Sequence, residues 1–248
     1  MALSTRSYAG PYTMGGGLPR GVKMLLILNA AVFLLTTFAG NSELGRWFMD
    51  TFGLRPADVA GRLFLWQPLT YLFLHGGILH ILFNMLALWF FGGDLERTWG
   101  TNKFLRFYFI CGVGAGICVV LANYAFGNPA TLTIGASGAI YGILLVAAIL
   151  WPDRIIIFYI FPIKLKYFVM IVGAIALYNV GNINSGVSDI AHLSGMLFGF
   201  LFLKFPAVRK FDPLSSLQRA YRQWKLERAK KKFQVYMRKH KDDGPWVQ

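Results

Sequence analysis

Four polar positions in an otherwise apolar chain could do chemistry together: Ser137, His192, His80 and Asn84. A serine hydroxyl becomes a nucleophile when an adjacent base takes its proton, and acyl transfer needs donors for the oxyanion that forms. His192 is the candidate base. His80 and Asn84 are i and i+4, on one face of a helix, and with the backbone N–H of Ser137 they are candidate donors. Ser137 lies in Gly135-Ala136-Ser137-Gly138-Ala139-Ile140-Tyr141-Gly142, between residues too small to shield it. At membrane depth its hydroxyl needs a partner, because an unsatisfied polar group there costs several kcal/mol. The competing reading is structural: Ser137 bonded to its own helix, Gly138 and Gly142 as a packing face, and His80 with Asn84 as an interhelical pair. Ser194, two residues from His192 and on another face, reads as packing. The motif is not G-x-S-x-G, so the nucleophile elbow of soluble hydrolases is not implied.

Composition shows what must hold these groups. Of 248 residues, 56% are hydrophobic and 15% charged, and the mean hydropathy is +0.50. A soluble domain carries roughly 25% charged residues, so the chain reads as a polytopic membrane protein. Apolar runs place spans at 24–40, 78–91, 104–126, 135–151, 167–180 and about 188–205, the fifth extended at its start by 163–166 if those residues join it. Ser188 or Asp189 is the expected cap of the sixth. Between residues 41 and 76, charges alternate with Trp47, Phe48, Phe52, Phe64 and Trp66, the pattern of an interfacial first loop. Residues 155–161 are too short to span and stop at Pro162; they read as a surface loop. Cys111 and Cys118 lie seven apart in one span, about 10 Å along a helix, too far for a disulfide.

Lys and Arg set the orientation. With a cytosolic N-terminus, the inner segments hold Arg6, Arg20, Lys23, Arg97, Lys103, Arg106, Arg154, Lys164 and Lys166, and the outer ones only Arg46, Arg55 and Arg62. Spans two, four and six then enter from outside, with His80, Asn84, Ser137 and His192 all near their starts. At 1.5 Å per residue they share a layer within about 10 Å of the outer interface. Three of the four histidines, His75 included, fall at this level. Ionisable groups buried in a membrane mark function by default.

His75-Gly76-xxx-His80-xxx-Asn84-Met85, Gly135-Ala136-Ser137-Gly138 and Ala191-His192-Leu193-Ser194-Gly195 together resemble the rhomboid family of intramembrane serine proteases. The resemblance covers roughly residues 24–205. It implies an all-α bundle of six transmembrane helices with a Ser–His dyad. Carried over, Ser137 is the nucleophile, His192 the general base, His80 and Asn84 hold the oxyanion, and Tyr141 stacks on the His192 ring. Gly135 and His75 are supporting residues. The family cleaves transmembrane segments of other proteins near the outer membrane face, without metal or cofactor, and its fifth span is associated with substrate access. One departure is Trp66-Gln67, where many members carry Trp-Arg; it puts the anchoring of the first loop in question. Asp189, three residues before His192, orients the ring or caps the helix. Glu96-Arg97 is expected to form an ion pair or loop anchor.

The expected organisation is a flexible cytosolic lead (1–22), a six-span domain (23–205) and a basic tail (206–248). Two arginines in the lead are too sparse for an organellar transit peptide, and a bacterial plasma membrane is the expected location. The tail holds 12 basic residues and four acids, contributing +8 to the net +14. Leu214, Leu217, Tyr221 and Trp224 recur at helical spacing, so an amphipathic helix on anionic lipid is expected, with no nucleic acid partner. Two other functions compete with proteolysis. One is a non-catalytic rhomboid-like protein binding transmembrane clients. The other is a metal or solute transporter using His75, His80 and His192, which lacks HExxH or a carboxylate ligand at their depth.

Overall fold

The computed structural model describes residues 17–158, 160–180, 186–210 and 215–239. Residues 1–16 of the expected lead, 181–185 ahead of the expected sixth span, and 211–214 (Leu214 among them) and 240–248 of the expected tail lie outside that range. The chain divides into two compact units, residues 1–209 and 210–248.

In the first unit, α1 (Arg20–Ala39) is an apolar helix whose start is held by a distant carboxylate. Glu96 accepts hydrogen bonds from the backbone N–H groups of Gly21 (2.8 Å) and Val22 (2.7 Å), and from Thr101 Oγ1 (2.6 Å). Helix N-termini leave N–H groups unpaired and favour negative charge; here the cap comes from 75 residues away. Glu96 therefore does not pair with Arg97, which bonds Asp94 instead.

The first loop folds into short helices: α2 (Glu43–Phe52), α3 (Pro56–Gly61), α4 (Gln67–Thr70) and a 3₁₀ turn, Tyr71–Phe73. Ser42 caps α2 by accepting from Gly45 N–H at 3.2 Å. On its apolar side Trp47 packs edge to face with Phe48 and with Phe52, whose two rings are tilted against each other. Next, α5 (Ile78–Ala87), a π segment (Leu88–Gly92) and α6 (Gly93–Trp99) form one continuous helix, longer than the span ending at residue 91 that apolarity suggested. The first turn of α6 carries Asp94, which bonds Arg154.

The centre of the bundle is α7 (Thr101–Phe126), α8 (Ser137–Leu150) and α10 (Gly186–Lys204), with α9 (Leu165–Val180) on the outside. The close fit of α8 on α10 follows from composition. A Cβ on Gly195 would stand 1.8 Å from the Gly138 carbonyl oxygen, and one on Gly199 3.0 Å from that of Gly142. Backbone meets backbone there, as small residues permit between membrane helices. Because α10 is already helical at Gly186, neither Ser188 nor Asp189 is its N-cap.

The architecture is mostly helical but not all-α. Residues 155–164 form an antiparallel hairpin, β1 (Ile155–Phe158) with β2 (Phe161–Lys164), rather than an irregular loop. Residues 163 and 164 belong to β2, so α9 is not extended over them. The hairpin arises because three β-branched residues in a row favour extended backbone and Pro162 sits on a two-stranded edge, where its missing N–H is tolerated.

Among the described residues, three helices are long and apolar enough to cross a membrane, at 20–39, 78–99 and 101–126; α8 and α9 are apolar and shorter. Their outward faces are apolar too, with Ile27, Phe38, Phe83, Leu121 and Leu177 exposed. Contiguous apolar surface of this kind is that of a protein solvated by lipid. A short helix, α11 (Pro206–Lys210), follows α10.

The second unit contains α12 (Ser215–Lys239). Tyr221 and Trp224 share a side, their rings 5.8 Å apart. Leu226, Phe233 and Met237 fall on the opposite side at 3.6 residues per turn. The apolar residues thus flank the helix on two sides instead of forming the single stripe that the spacing of its first turns suggests.

Candidate active site

Ser137 is the first residue of α8, and the turn before it depends on glycine. Gly135 has φ +121°, in the region L side chains rarely adopt, and a Cβ there would stand 2.7 Å from His80 Nε2. Glycine thus lets the backbone reverse into α8 while the His80 ring lies against it. Because Ser137 opens the helix, its N–H and those of the next residues have no intrahelical acceptor. A positive dipole end therefore points to where an oxyanion would form.

His192 reaches Ser137 from α10. The Nε2–Oγ separation is 2.9 Å, within hydrogen-bond range for a base and its nucleophile. The ring is stacked on Tyr141, with centroids 4.0 Å apart and planes 4° from parallel. Its other nitrogen, Nδ1, lies 3.4 Å from Asp189 Oδ1 and has no well-formed hydrogen bond. The direction of this bond follows the tautomer: for Nε2 to accept from the Ser137 hydroxyl, Nδ1 carries the proton, on the side where Asp189 stands.

His80 and Asn84 occupy adjoining turns of α5. The buried Asn84 amide donates to the His80 backbone carbonyl at 3.0 Å; this uses one of its two N–H groups. His75, 2% exposed, sets its ring edge-on to His80 at 5.0 Å, and neither of its nitrogens has a hydrogen-bond partner. Ser137, His192, Tyr141 and Asp189 thus form one contact group, and His80 joins it at Gly135.

Sequence reasoning missed how the first loop grips this site. Leu54 and Thr133 pair as a β-bridge, with N–H···O distances of 3.0 and 2.8 Å. Ala57 N–H donates to the Pro129 carbonyl, and Gly135 N–H to that of Tyr71, both at 2.9 Å. The loop is held in turn by Gln67, which is fully buried. Its Oε1 accepts from Arg55 N–H at 3.0 Å and its Nε2 donates to the Asp50 carbonyl at 3.1 Å. Trp66 Nε1 donates to the Thr51 carbonyl. Gln67 therefore anchors the loop in its own way, answering the question its departure from Trp-Arg raised; the buried amide between charged loop residues was the available signal. Among the described residues, no cluster of His, Cys, Asp or Glu could hold a metal.

Comparison with known proteins adds an independent line. A family model described as the Rhomboid domain matches residues 63–207. The chain is 32% identical over 152 residues to RHOMBOID-like protein 1 of Arabidopsis thaliana, covering 60% of this chain and 37% of that protein. It is 30% identical over 190 residues to Rhomboid protease GluP of Bacillus subtilis (strain 168), covering 74% and 34%. It is 27% identical over 203 residues to Rhomboid protease GlpG of Yersinia pestis (strain Pestoides F), covering 79% and 63%. The chain spans between about a third and two thirds of the length of these relatives.

Proposed function

This chain belongs to the rhomboid family, and from that membership we propose that it is an intramembrane serine endopeptidase cleaving transmembrane segments of other membrane proteins. Ser137 Oγ attacks the scissile carbonyl carbon as its proton passes to His192 Nε2. The oxyanion is held by the Ser137 N–H, the His80 ring and the free N–H of Asn84. When the C–N bond breaks, His192 returns the proton to the leaving amine, and water then hydrolyses the acyl-enzyme by the same base. Tyr141 keeps the imidazole plane fixed, Gly135 shapes the turn, and His75 backs the His80 ring.

The observation that carries this reading is the 2.9 Å contact between Ser137 Oγ and His192 Nε2, made across 55 residues of chain. The relatives named as proteases support it at the level of the family. The remaining parts of the proposal rest on sequence. Six spans correspond to α1, the continuous helix from Ile78 to Trp99, α7, α8, α9 and α10, and the Lys and Arg distribution puts both termini in the cytosol. The tail meets anionic lipid through its charge, since its apolar residues form no single stripe.

The test is labelling of the purified protein in lipid by a serine-directed fluorophosphonate, together with cleavage of a panel of single-span reporters. Labelling and products lost in Ser137→Ala are expected. Folded protein that neither labels nor cleaves any reporter would replace this reading with a client-binding one.

A further inference from the structure

The β1–β2 hairpin breaks the rule that governs antiparallel sheets in water. Such a sheet packs one face on the core and turns polar residues outward. Here Ile156 and its cross-strand partner Ile163 are partly buried, with Ile156 packed on the core. Five further positions are apolar as well, and exposed: Ile155, Ile157, Phe158, Ile160 and Phe161. Ile157 is 77% and Ile160 80% exposed. Five large apolar side chains in a ten-residue stretch are not the surface of a loop built for water.

The base of the hairpin is the opposite in character. Asp153 Oδ1 accepts from Lys166 Nζ at 2.9 Å and Lys164 Nζ at 3.1 Å. Those bonds, Lys166 first, hold its carboxyl below the ordinary carboxylate range. One carboxylate between two ammonium groups leaves the base net positive. Beside it, Arg154 bonds Asp94 of α6. The hairpin is closed onto α9 by the Leu165 N–H, which donates to the Arg154 carbonyl at 2.7 Å.

Placement decides what covers the apolar face. Phe158, at the end of β1, has its ring 5.2 Å from Phe168, one turn into α9. The tip is thereby tied to the flank of an apolar helix instead of projecting beyond its end. On α9, Tyr167, Met170 and Ile171, neighbours of Phe168 in the sequence, are exposed as well.

We propose that residues 155–164 form an interfacial wedge, with Ile155, Ile157, Phe158, Ile160 and Phe161 set into the acyl chains of the leaflet at the Leu150 end of α8. Lys164 and Lys166 lie at the level of the lipid phosphates. The wedge reaches about 5–10 Å into the headgroup–acyl boundary, the depth of interfacial elements generally. There the unpaired strand edges still meet water, which deeper burial would deny them. The proposal needs the family's residence in a bilayer but not its catalysis, so it stands or falls separately from the protease reading.

The experiment places a nitroxide at Ile157→Cys or Ile160→Cys in a Cys111→Ala/Cys118→Ala background, in nanodiscs of phosphatidylcholine and phosphatidylglycerol. Collisions with oxygen exceeding those with a water-soluble nickel chelate are expected, at a depth just below the phosphates. Nickel collisions in excess overturn the proposal by putting the hairpin in water. Dipolar broadening between labels overturns it in favour of a second copy of the chain. Since Cys111 packs near Gly142, the unaltered protein is also exposed to a phospholipid bearing an acyl-chain diazirine. Adducts on peptides covering 155–164 support the wedge; adducts on α9 with none on the hairpin sink it.

Discussion

Asp189 Oδ1 stands 3.4 Å from His192 Nδ1, one turn earlier on α10. Both side chains are largely buried, at 12% and 16% exposure. In the reaction proposed above, the carboxylate favours the tautomer that leaves Nε2 free to accept the Ser137 proton, and stabilises the imidazolium that follows.

Replacing Asp189 by Ala leaves a buried N–H without its nearest acceptor, a loss of about 1–3 kcal/mol. If that loss falls on the transition state, kcat drops by about 5–150-fold with KM little changed. Asp189→Asn, which keeps an acceptor but not the charge, falls between. Equal kcat in all three proteins, measured on one cleaved reporter, would show that Asp189 serves only the helix.

Gly135→Ala forces a side chain into positive φ, at a cost of about 1–3 kcal/mol, and drives its Cβ onto the His80 ring. The His80 ring and the start of α8 must move apart. Fluorophosphonate labelling at a fixed time is expected to fall at least about tenfold in the variant while the chain still folds by circular dichroism. Undiminished labelling would mean that the turn tolerates the methyl group and does not set the site.

Gln67→Ala removes the acceptor for Arg55 N–H and the donor to the Asp50 carbonyl, both of which hold the first loop. That loop bridges to Thr133, four residues before Ser137. Proteolytic nicking within 41–66 should rise several-fold and activity should fall with it. Gln67→Arg restores a donor but not the acceptor for the Arg55 N–H, so it is expected to recover only part of both. Full recovery by Arg would make the accepting bond dispensable.

Glu96→Gln weakens the cap on α1 without creating a cavity. A charge at a partly buried helix N-terminus is worth up to about 2 kcal/mol, so thermal unfolding in lipid should begin several degrees lower. Cleavage per folded molecule should be unchanged, because Glu96 lies at the end of its helix away from His80. A loss of specific activity with normal unfolding would point to a different role for the carboxylate.

Several features lay outside what local reading could reach. Residues 155–161 read as a loop because the run is too short to span and stops at Pro162; alternation, the usual sign of a strand, appears only where one face meets water and is missing from this continuous apolar run. The apolar α12 residues beyond Trp224 drift off the face that Tyr221 began. Glu96 looked like half of an ion pair with its neighbour, since nothing in the sequence shows that the start of α1 is beside it.

The sequence alone determined that this chain lives in lipid, where its apolar runs lie, and which few polar residues are too costly there to be incidental. Those properties are set by composition and by the rise of a helix, both local. Tertiary structure alone decided that Ser137 and His192 touch, and that Gln67 steadies the loop beside them. The reason is physical: α8 and α10 approach until the backbone at Gly138 meets that at Gly195. That distance depends on both helices at once, so neither helix's own sequence contains it.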